Sequence, residues 1–197
     1  MYSFYTAEDF SAYEAKRDEL LDILRRTRIP RILQSNLARR PDGRVDYVAQ
    51  RGDVIGTIGR TMNFGFGNKR GKGYGPFVAN GTHPELYKKI VEFTEVALPS
   101  DFVFHTITLN QNVKAKKHKD GQNVGESYII GIGDYEGGKL RVFRDEINYV
   151  ALGIKDNALK FNGAELAHET EDFTGERFTM IFYKHAEGGK RLDSKDL

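Results

Sequence analysis

An alternation of apolar and polar residues with a period of two runs through the second half of the chain and limits the folds that it can adopt. It begins after Pro99 and is broken by turn signals such as Gly137-Gly138, Asp156-Asn157 and Asn162-Gly163. Residues i and i+2 of a strand lie on one face, so the pattern predicts short strands that each bury one face. The predicted strands are Val103–Leu109, Glu126–Gly133, Lys139–Phe143, Ile147–Leu152, Ala158–Phe161, Ala164–Glu169 and Glu176–Lys184. So many short strands are typical of an antiparallel sandwich or barrel.

The first hundred residues predict two helices that support this β core. Apolar residues recur at helical spacing from about Ala7 to Arg28, behind a capping box formed by Thr6 and Asp9. A second helix is predicted from Pro84 to Leu98, because proline suits the first turn and the apolar residues behind it form one face. The chain is therefore predicted to be one α+β domain.

Within that domain we expect three parts. Residues 1–98 form the N-terminal support, residues 99–186 the β core and residues 187–197 a short tail. The stretch from Gly52 to Gly81 contains nine glycines, which favour a loop or lid over regular structure. The segment between Pro30 and Arg51 predicts a short hairpin or an ordered loop. The glycine spacing fits neither a phosphate-binding loop nor a dinucleotide fingerprint.

Composition excludes several classes of site. The chain has no cysteine, so a disulfide-linked partner, a thiolate metal ligand and a thiol nucleophile are all excluded. A formal charge of +2, from 30 basic and 28 acidic side chains, does not by itself indicate a nucleic-acid binder. No apolar run has the length of a membrane span, so we expect a soluble intracellular protein without membrane contact. The oligomeric state stays open.

Two histidines and one aspartate form a candidate metal site. His118 and Asp120 are two residues apart and can point to one side of an extended segment, and His168 follows 48 residues after Asp120. Two histidines and a carboxylate on neighbouring strands make a facial triad, which leaves three positions of an octahedral iron open. Taken singly, His118 among its lysines is more typical of a surface residue, and His168 of a buried structural one.

An arginine nine residues after His168 could bind an anion next to this candidate metal site. Arg177 is predicted to begin the last strand, where its planar guanidinium can bind a carboxylate in bidentate fashion. Thr179 lies on the same face of that strand and can donate a hydroxyl to the same anion.

This pattern, His-x-Asp, a distant His and then Arg-x-Thr, resembles the Fe(II)- and 2-oxoglutarate-dependent dioxygenases, whose fold is a double-stranded β-helix (jelly-roll). The resemblance covers roughly residues 102–183. Three further motifs are similar to the TET/JBP branch of that superfamily, whose members hydroxylate the methyl group of thymine or 5-methylcytosine in nucleic acid. These motifs are Asn110-x-Asn112, His118-Lys-Asp120-x-x-Asn123 and the segment Gly133–Leu140.

The resemblance implies a role for each of these residues. His118, Asp120 and His168 would hold Fe(II), while Arg177 and Thr179 would hold the far carboxylate of the cosubstrate 2-oxoglutarate, with dioxygen as the oxidant. The resemblance also implies contacts to the cosubstrate or to the iron ligands, with Asn123 placed behind the ligands. The residues expected there are Asn110, Asn112, Tyr128 and Asn123.

Candidate substrate contacts lie in two basic stretches, which could follow the phosphate backbone of DNA or RNA while aromatic rings stack on a base. They are Phe64, Phe66, Lys69, Arg70, Lys72, Tyr74, Lys114, Lys116, Lys117 and Lys119. The short interval between His168 and Arg177 instead resembles the prolyl hydroxylase branch. A nucleobase hydroxylase, a protein or small-molecule hydroxylase and a non-catalytic binding barrel therefore stay open.

Overall fold

The structure, a computed structural model, describes residues 1–31, 59–69, 73–120 and 123–185. These residues form three helices, α1 (Phe10–Arg26), α2 (Ala79–Thr82) and α3 (Pro84–Ala97). They also form twelve strands: β1 (Tyr2–Tyr5), β2 (Arg60–Lys69), β3 (Gly73–Pro76), β4 (Thr106–Gln111), β5 (Ser127–Ile132), β6 (Tyr135–Gly137), β7 (Leu140–Phe143), β8 (Tyr149–Leu152), β9 (Ala158–Phe161), β10 (His168–Thr170), β11 (Phe173–Gly175) and β12 (Phe178–Tyr183).

The strands form one large sheet and two small ones. The large sheet has the order β1-β9-β5-β12-β4-β2-β3, and its neighbouring strands are antiparallel. A three-stranded sheet has the order β10-β7-β8, and β11 pairs with β6. This antiparallel jelly-roll with N-terminal helices confirms the predicted α+β fold. None of the helices in the described ranges is long and apolar enough to cross a membrane.

Two apolar cores lie on opposite sides of the large sheet. The first is covered by α1 and α3, which pack on each other, and includes Leu24, Phe93 and Met180, each fully buried. The second lies between the large sheet and the three-stranded sheet and includes Leu140 and Phe161. The helices thus close one face of the large sheet, while the other face turns toward the small sheet.

The strand register explains why one face is polar. Met62, Leu109, Met180 and Ile130 are aligned across β2, β4, β12 and β5, and all four belong to the helix-side core. The adjacent row has Thr61, Asn110, Thr179 and Gly131 at the same four strands. Because side chains alternate across a strand, this polar row faces the space between the sheets.

The glycine-rich stretch does not form the predicted loop in its described part. It contains β2 and β3, which pair as an antiparallel hairpin, followed by α2. Met62 and Phe64 are buried on the helix side of the sheet. The number of glycines around them had favoured a loop over such a strand. Gly67 sits where a Cβ would lie 2.6 Å from the Phe77 ring, so this glycine permits close packing rather than mobility.

Other boundaries also differ from the prediction. Residues 164–166 form a turn, closed by the Leu166 N–H donating to the Asn162 carbonyl at 2.9 Å, so the strand predicted from Ala164 begins only at His168. The edge strand β1 was not predicted. The predictions for residues 32–51 and for the tail 187–197 lie outside the described residues, as do Arg70 and Lys72.

Candidate metal centre

The two histidines are brought together by a local backbone pairing. The His118 N–H donates to the His168 carbonyl at 3.0 Å, and the His168 N–H donates to the His118 carbonyl at 2.9 Å. His168 begins β10, whereas His118 lies in an extended segment outside the named strands. The imidazole rings are 4.3 Å apart between centroids. The pairing therefore fixes two residues far apart in sequence on one side of the site.

Both imidazoles present the same nitrogen to the site. His118 Nδ1 lies 2.6 Å from the Lys116 carbonyl oxygen, and His168 Nδ1 lies 2.9 Å from the Leu166 carbonyl oxygen. A carbonyl oxygen can only accept, so Nδ1 must carry the proton in each ring. In the neutral ring each Nε2 then keeps a free lone pair, and this is the form that binds a metal.

Asp120 completes the triad. Its Oδ1 lies 3.6 Å from His118 Nε2 and 3.8 Å from His168 Nε2. Its Oδ2 accepts a hydrogen bond of 3.0 Å from Asn123 Nδ2. The three ligand atoms all lie within 4.8 Å of one another. Ligands about 2.1 Å from one ion and at right angles to each other lie about 3 Å apart, so a small contraction brings this set to coordination distance.

The ionisation of the triad follows from burial and from the shared carboxylate. The contact with Asp120 raises the pKa of His118, whereas burial lowers the pKa of His168. Burial is the largest influence on Asp120 and acts to raise its pKa, but the hydrogen bond from His118 and the two imidazoles outweigh it, so the pKa is lowered. At neutral pH the site therefore offers an anionic oxygen beside imidazole nitrogens, the donor set of a facial triad.

Arg177 lies deep in the same cavity, directly before β12. It is 2% exposed, and its backbone is held by Asn112, whose Oδ1 accepts from the Arg177 N–H at 2.8 Å. Two guanidinium nitrogens donate to the carbonyl oxygens of Val113, at 3.3 Å, and Gly138, at 3.1 Å. Within the described ranges no carboxylate forms an ion pair with Arg177, and burial lowers its pKa. The site thus holds a buried cation that lacks a counterion.

Two buried polar atoms beside this cation have no hydrogen-bond partner in the described structure. They are Arg177 Nε and the Tyr135 hydroxyl oxygen. The Tyr135 oxygen lies 2.3 Å from where a Cβ of Gly131 would be, and Gly131 pairs with Thr179 across β5 and β12. A buried polar atom without a partner is costly, and these two atoms belong to neighbouring side chains, since the Arg177 guanidinium lies 5.5 Å from the Tyr135 ring centroid.

The cavity connects the triad and Arg177. It has a volume of about 190 Å³ and is lined by the triad, Arg177, Thr179, Asn110 and Asn123, together with apolar side chains. Among the apolar ones are Ile129, Leu140 and Phe161. The predicted residues Asn110, Asn123 and Thr179 thus reach the site, and their individual roles stay predictions.

Four of the predicted contacts do not line the cavity. Tyr128 faces the helix-side core, where its ring meets Phe102 at 4.7 Å, because it lies on the opposite face of β5 from the cavity residue Ile129. Asn112 holds the backbone of Arg177 and does not line the cavity. Phe64 is fully buried, and Phe66 is 39% exposed; neither lines the cavity. The predicted contacts of Tyr128 and Phe64 were wrong, because the sequence does not show which face of β5 and of β2 turns toward the site.

The remaining candidate substrate contacts differ in whether their side chains already form other contacts. The Tyr74 hydroxyl lies 3.1 Å from His105 Nδ1 and does not line the cavity. Lys69 ends β2. Lys114 forms an ion pair with Asp172, and Lys117 donates to the Glu146 carbonyl. Lys116 and Lys119 flank the His118 segment on the surface.

Two residues beside the candidate site were not identified from the sequence. Tyr135 lies inside the motif Gly133–Leu140, but no role was assigned to it. Gly163 was predicted only as part of a turn, whereas its backbone carbonyl accepts the Asp120 N–H at 2.9 Å. A tyrosine and a glycine carry no signal of such roles in one sequence, since both depend on which residues meet across the fold.

Comparison with known proteins identifies the fold. No protein-family model matches the sequence, and no curated protein matches it. Among solved structures, NgTET1 in complex with 5mC DNA is similar with a TM-score of 0.57 and 12% identity, covering 94% of this chain and 72% of that one.

Two prolyl hydroxylases share the same architecture. The enzyme from Trichoplax adhaerens, in complex with a hypoxia inducible factor peptide fragment, has a TM-score of 0.52 and 11% identity, covering 93% of this chain and 83% of that one. The Pseudomonas putida prolyl-4-hydroxylase has a TM-score of 0.52 and 10% identity, covering 93% and 92%. At such identities the likeness establishes a common fold.

Proposed function

We propose that the protein is an Fe(II)- and 2-oxoglutarate-dependent dioxygenase that hydroxylates a C–H bond. One observation carries this proposal: Arg177, a buried cation without a carboxylate partner among the described residues, shares a cavity with the converging triad His118, Asp120 and His168. A metal ligand set and an anion site in one cavity match a cosubstrate that chelates a metal at one end and carries a carboxylate at the other. The oxygenase fold supports the same conclusion.

Each end of the cavity fits the group assigned to it. The free Nε2 atoms of His118 and His168 and the Asp120 carboxylate would hold iron on one face. Arg177 and Thr179, which both line the cavity, would hold the far carboxylate of 2-oxoglutarate. Iron, 2-oxoglutarate and dioxygen together supply the oxidation of a substrate C–H bond.

The chain's own contribution is orientation and exclusion of water. Asn123 holds Oδ2 of Asp120 so that Oδ1 faces the two imidazoles. Ile129, Leu140 and Phe161 line the cavity with apolar surface, which limits water around the site. Low local polarity also strengthens the attraction between Arg177 and a bound carboxylate.

For the substrate, we infer the methyl group of a nucleobase, thymine or 5-methylcytosine, in DNA or RNA. The motifs around Asn110, His118 and Gly133 and the likeness to a structure bound to 5mC DNA support this class. Lys116 and Lys119, next to His118, place positive charge near the mouth, where a phosphate backbone would pass. The base itself would have to be flipped out or single-stranded to reach the cavity.

A protein side chain is the second candidate. The nine residues between His168 and Arg177 and the likeness to two prolyl hydroxylases favour it. A barrel that binds a ligand without turnover is the third candidate, and the intact triad with its unsatisfied anion site weighs against it.

Turnover of the cosubstrate separates the enzyme from a binding protein. Fe(II), 2-oxoglutarate and oxygen are added to the purified protein, and succinate is measured with and without candidate substrates. We expect succinate from the wild type and none from His168→Ala, while a Lys88→Ala variant on the outside of α3 remains active. No succinate under any condition, with ligand binding unchanged in His168→Ala, would overturn the enzyme proposal.

A product assay separates the substrate classes. Methylated and thymine-containing oligonucleotides, single- and double-stranded, are treated, digested to nucleosides and weighed by mass spectrometry. Addition of one oxygen atom to a pyrimidine nucleoside supports the nucleobase proposal. Oxygen found only on a proline-rich peptide incubated in parallel would contradict it.

A further inference from the structure

The lysine that precedes His118 is fixed on the outer face of the small sheet. Lys117 Nζ lies 3.8 Å from the centroid of the Phe143 ring and donates a 2.5 Å hydrogen bond to the Glu146 carbonyl. Phe143 ends β7, and β10 lies between β7 and the His118 segment. The lysine side chain therefore crosses β10 to reach its partners. Ala167 precedes β10, and its carbonyl accepts the Phe143 N–H. Its small side chain leaves room for the lysine side chain to pass over it.

The far end of this contact is itself held in place. The Phe143 ring packs on Tyr149 of β8 at 5.4 Å, and the Arg141 guanidinium lies 4.6 Å from the Tyr149 ring centroid. Arg141 in turn pairs with Glu169 of β10 at 3.0 Å and with Glu171 at 2.9 Å. These contacts begin at Lys117, next to His118, and end at Glu169 of β10. Lys117 is therefore attached to a surface that ring contacts and ion pairs hold in place.

The position of Lys117 bears directly on the metal ligand. The peptide that joins Lys116 to Lys117 carries the carbonyl oxygen that fixes the proton of His118 on Nδ1. His118 is also the most exposed ligand, with 44% of its side chain accessible against 7% for His168. Its segment meets β10 through the backbone bridge at His118 and through one further bond, from the Thr170 N–H to the Ala115 carbonyl at 2.9 Å. Among the three ligands, His118 is therefore the one whose position depends most on a further contact.

We propose that Lys117 is a positioning residue for the metal site: its side chain ties the His118 segment across β10 to Phe143 and Glu146, and so holds His118 Nε2 toward Asp120 and His168. This rests on the proposed function only in naming the triad as a metal site. It replaces the expectation that Lys117 contacts the substrate, because its ammonium group is already engaged.

Charge alone predicts the opposite effect, which makes the proposal testable. A cation close to a divalent metal site repels the ion, so removing a lysine charge should strengthen metal binding. Lys119, on the other side of His118, provides the matched control, since the described structure gives it neither an ion pair nor a ring contact. Lys117→Ala and Lys119→Ala remove the same charge from either side of the same ligand.

The experiment uses Co(II) alone as the probe, titrated calorimetrically into the metal-free full-length protein. We expect Lys117→Ala and Phe143→Leu to bind Co(II) about tenfold more weakly than the wild type, the usual size of an effect behind the ligands. Lys119→Ala should bind equally or more tightly. Lys117→Arg, which keeps a cation over the Phe143 ring, should stay close to the wild type.

A second readout does not need metal. Hydrogen exchange of the His118 amide, which donates to His168, should accelerate by a similar factor in Lys117→Ala, while the Met180 amide of the large sheet keeps its protection. Unchanged Co(II) affinity and unchanged exchange in Lys117→Ala would overturn the proposal, as would equal losses in Lys119→Ala. A wild-type protein that binds no Co(II) would contradict the proposed function instead, and the exchange data would still decide the role of Lys117.

Discussion

Gly163 lies so close to Asp120 that a Cβ atom on the glycine would be 2.2 Å from Asp120 Oδ2. It would also be 3.3 Å from His168 Cε1. The same glycine accepts the Asp120 N–H through its carbonyl, so the backbone binds the aspartate while the missing side chain leaves room for the carboxylate. Two of the three proposed metal ligands are thereby packed against one position without a side chain.

Gly163→Ala should therefore weaken metal binding with a small effect on folding. The added methyl group displaces the Asp120 carboxylate from the line of the two imidazoles, and we expect Co(II) affinity to fall by about ten- to a hundredfold. Gly153→Ala is the control, because a Cβ there has no neighbour within 4 Å. Calorimetric titration measures both, and equal affinities in the two variants would contradict the close approach.

Arg177→Met should abolish binding of 2-oxoglutarate and leave the free protein stable. In the part of the chain that the structure describes, the arginine is a buried charge without a carboxylate partner, so an apolar residue of similar length should change the free energy of unfolding by no more than about 1 kcal/mol. Loss of two charge-assisted hydrogen bonds should cost about 3 kcal/mol of binding, more than a hundredfold in affinity.

Thermal melts with and without 2-oxoglutarate, in the presence of Co(II), test this expectation. The wild type should be stabilised by the cosubstrate and Arg177→Met should not. Arg25→Met, which removes a surface arginine paired with Glu176, should keep the stabilisation. A cosubstrate effect that survives in Arg177→Met would place the carboxylate elsewhere.

Metal affinity should depend on pH through His118. A metal binds the neutral imidazole, so a bound proton competes with it. The contact with Asp120 raises the pKa of His118 above its ordinary 6.5, whereas burial lowers that of His168. Co(II) affinity should thus begin to fall on acidification at a pH above 6.5, about tenfold for each further pH unit. Titrations between pH 5.5 and 8 would show the break.

The stability of the metal-free protein should have the opposite pH dependence at this pair. Because the folded pKa of His118 is raised, its interaction with Asp120 stabilises the fold fully below the unfolded pKa and is lost as the pH rises through the folded pKa. In Asp120→Asn the pKa of His118, followed by NMR, should return toward 6.5. An unshifted pKa in that variant would show that the carboxylate is not its cause.

Phe64→Ala should unfold the protein far more readily than Phe66→Ala. Phe64 is fully buried and stacks on Tyr87 at 5.5 Å between ring centroids, whereas Phe66 is 39% exposed. Loss of a buried phenylalanine costs about 3–5 kcal/mol, and we expect less than about 1 kcal/mol at Phe66. Urea denaturation of both variants measures the difference, and similar midpoints would contradict the placement of Phe64 in the core.

The β core was predictable because its signal is local. Alternation located β5, β7, β9 and β12 to within a residue or two, since each buries one face against a neighbouring layer. The glycine-rich β2 and β3 were missed because glycine is depleted in most strands, whereas Gly67 lies inside β2 and packs beside Phe77. Composition alone cannot distinguish such glycines from those of a loop.

The residues of the site also divide into those that a local sequence pattern predicts and those that it does not. His118, Asp120 and His168 were grouped from the sequence, and the structure brings them together. Tyr128 was assigned to the wrong face of β5, because a shift of one residue reverses every side chain in a strand. The role of Tyr135 depends on its approach to Arg177 and Gly131, a contact between separate strands that no local pattern encodes.

The pairing of His118 with His168 also bears on how the chain is cross-linked. The two residues are 50 positions apart in a sequence without cysteine. An ion bound by both would close that loop as a disulfide does, and chain-entropy arguments assign about 4 kcal/mol to a closure of this length when the unfolded chain does not bind the ion. The metal would then act as a removable cross-link, and chelation would loosen the His118 segment from β10.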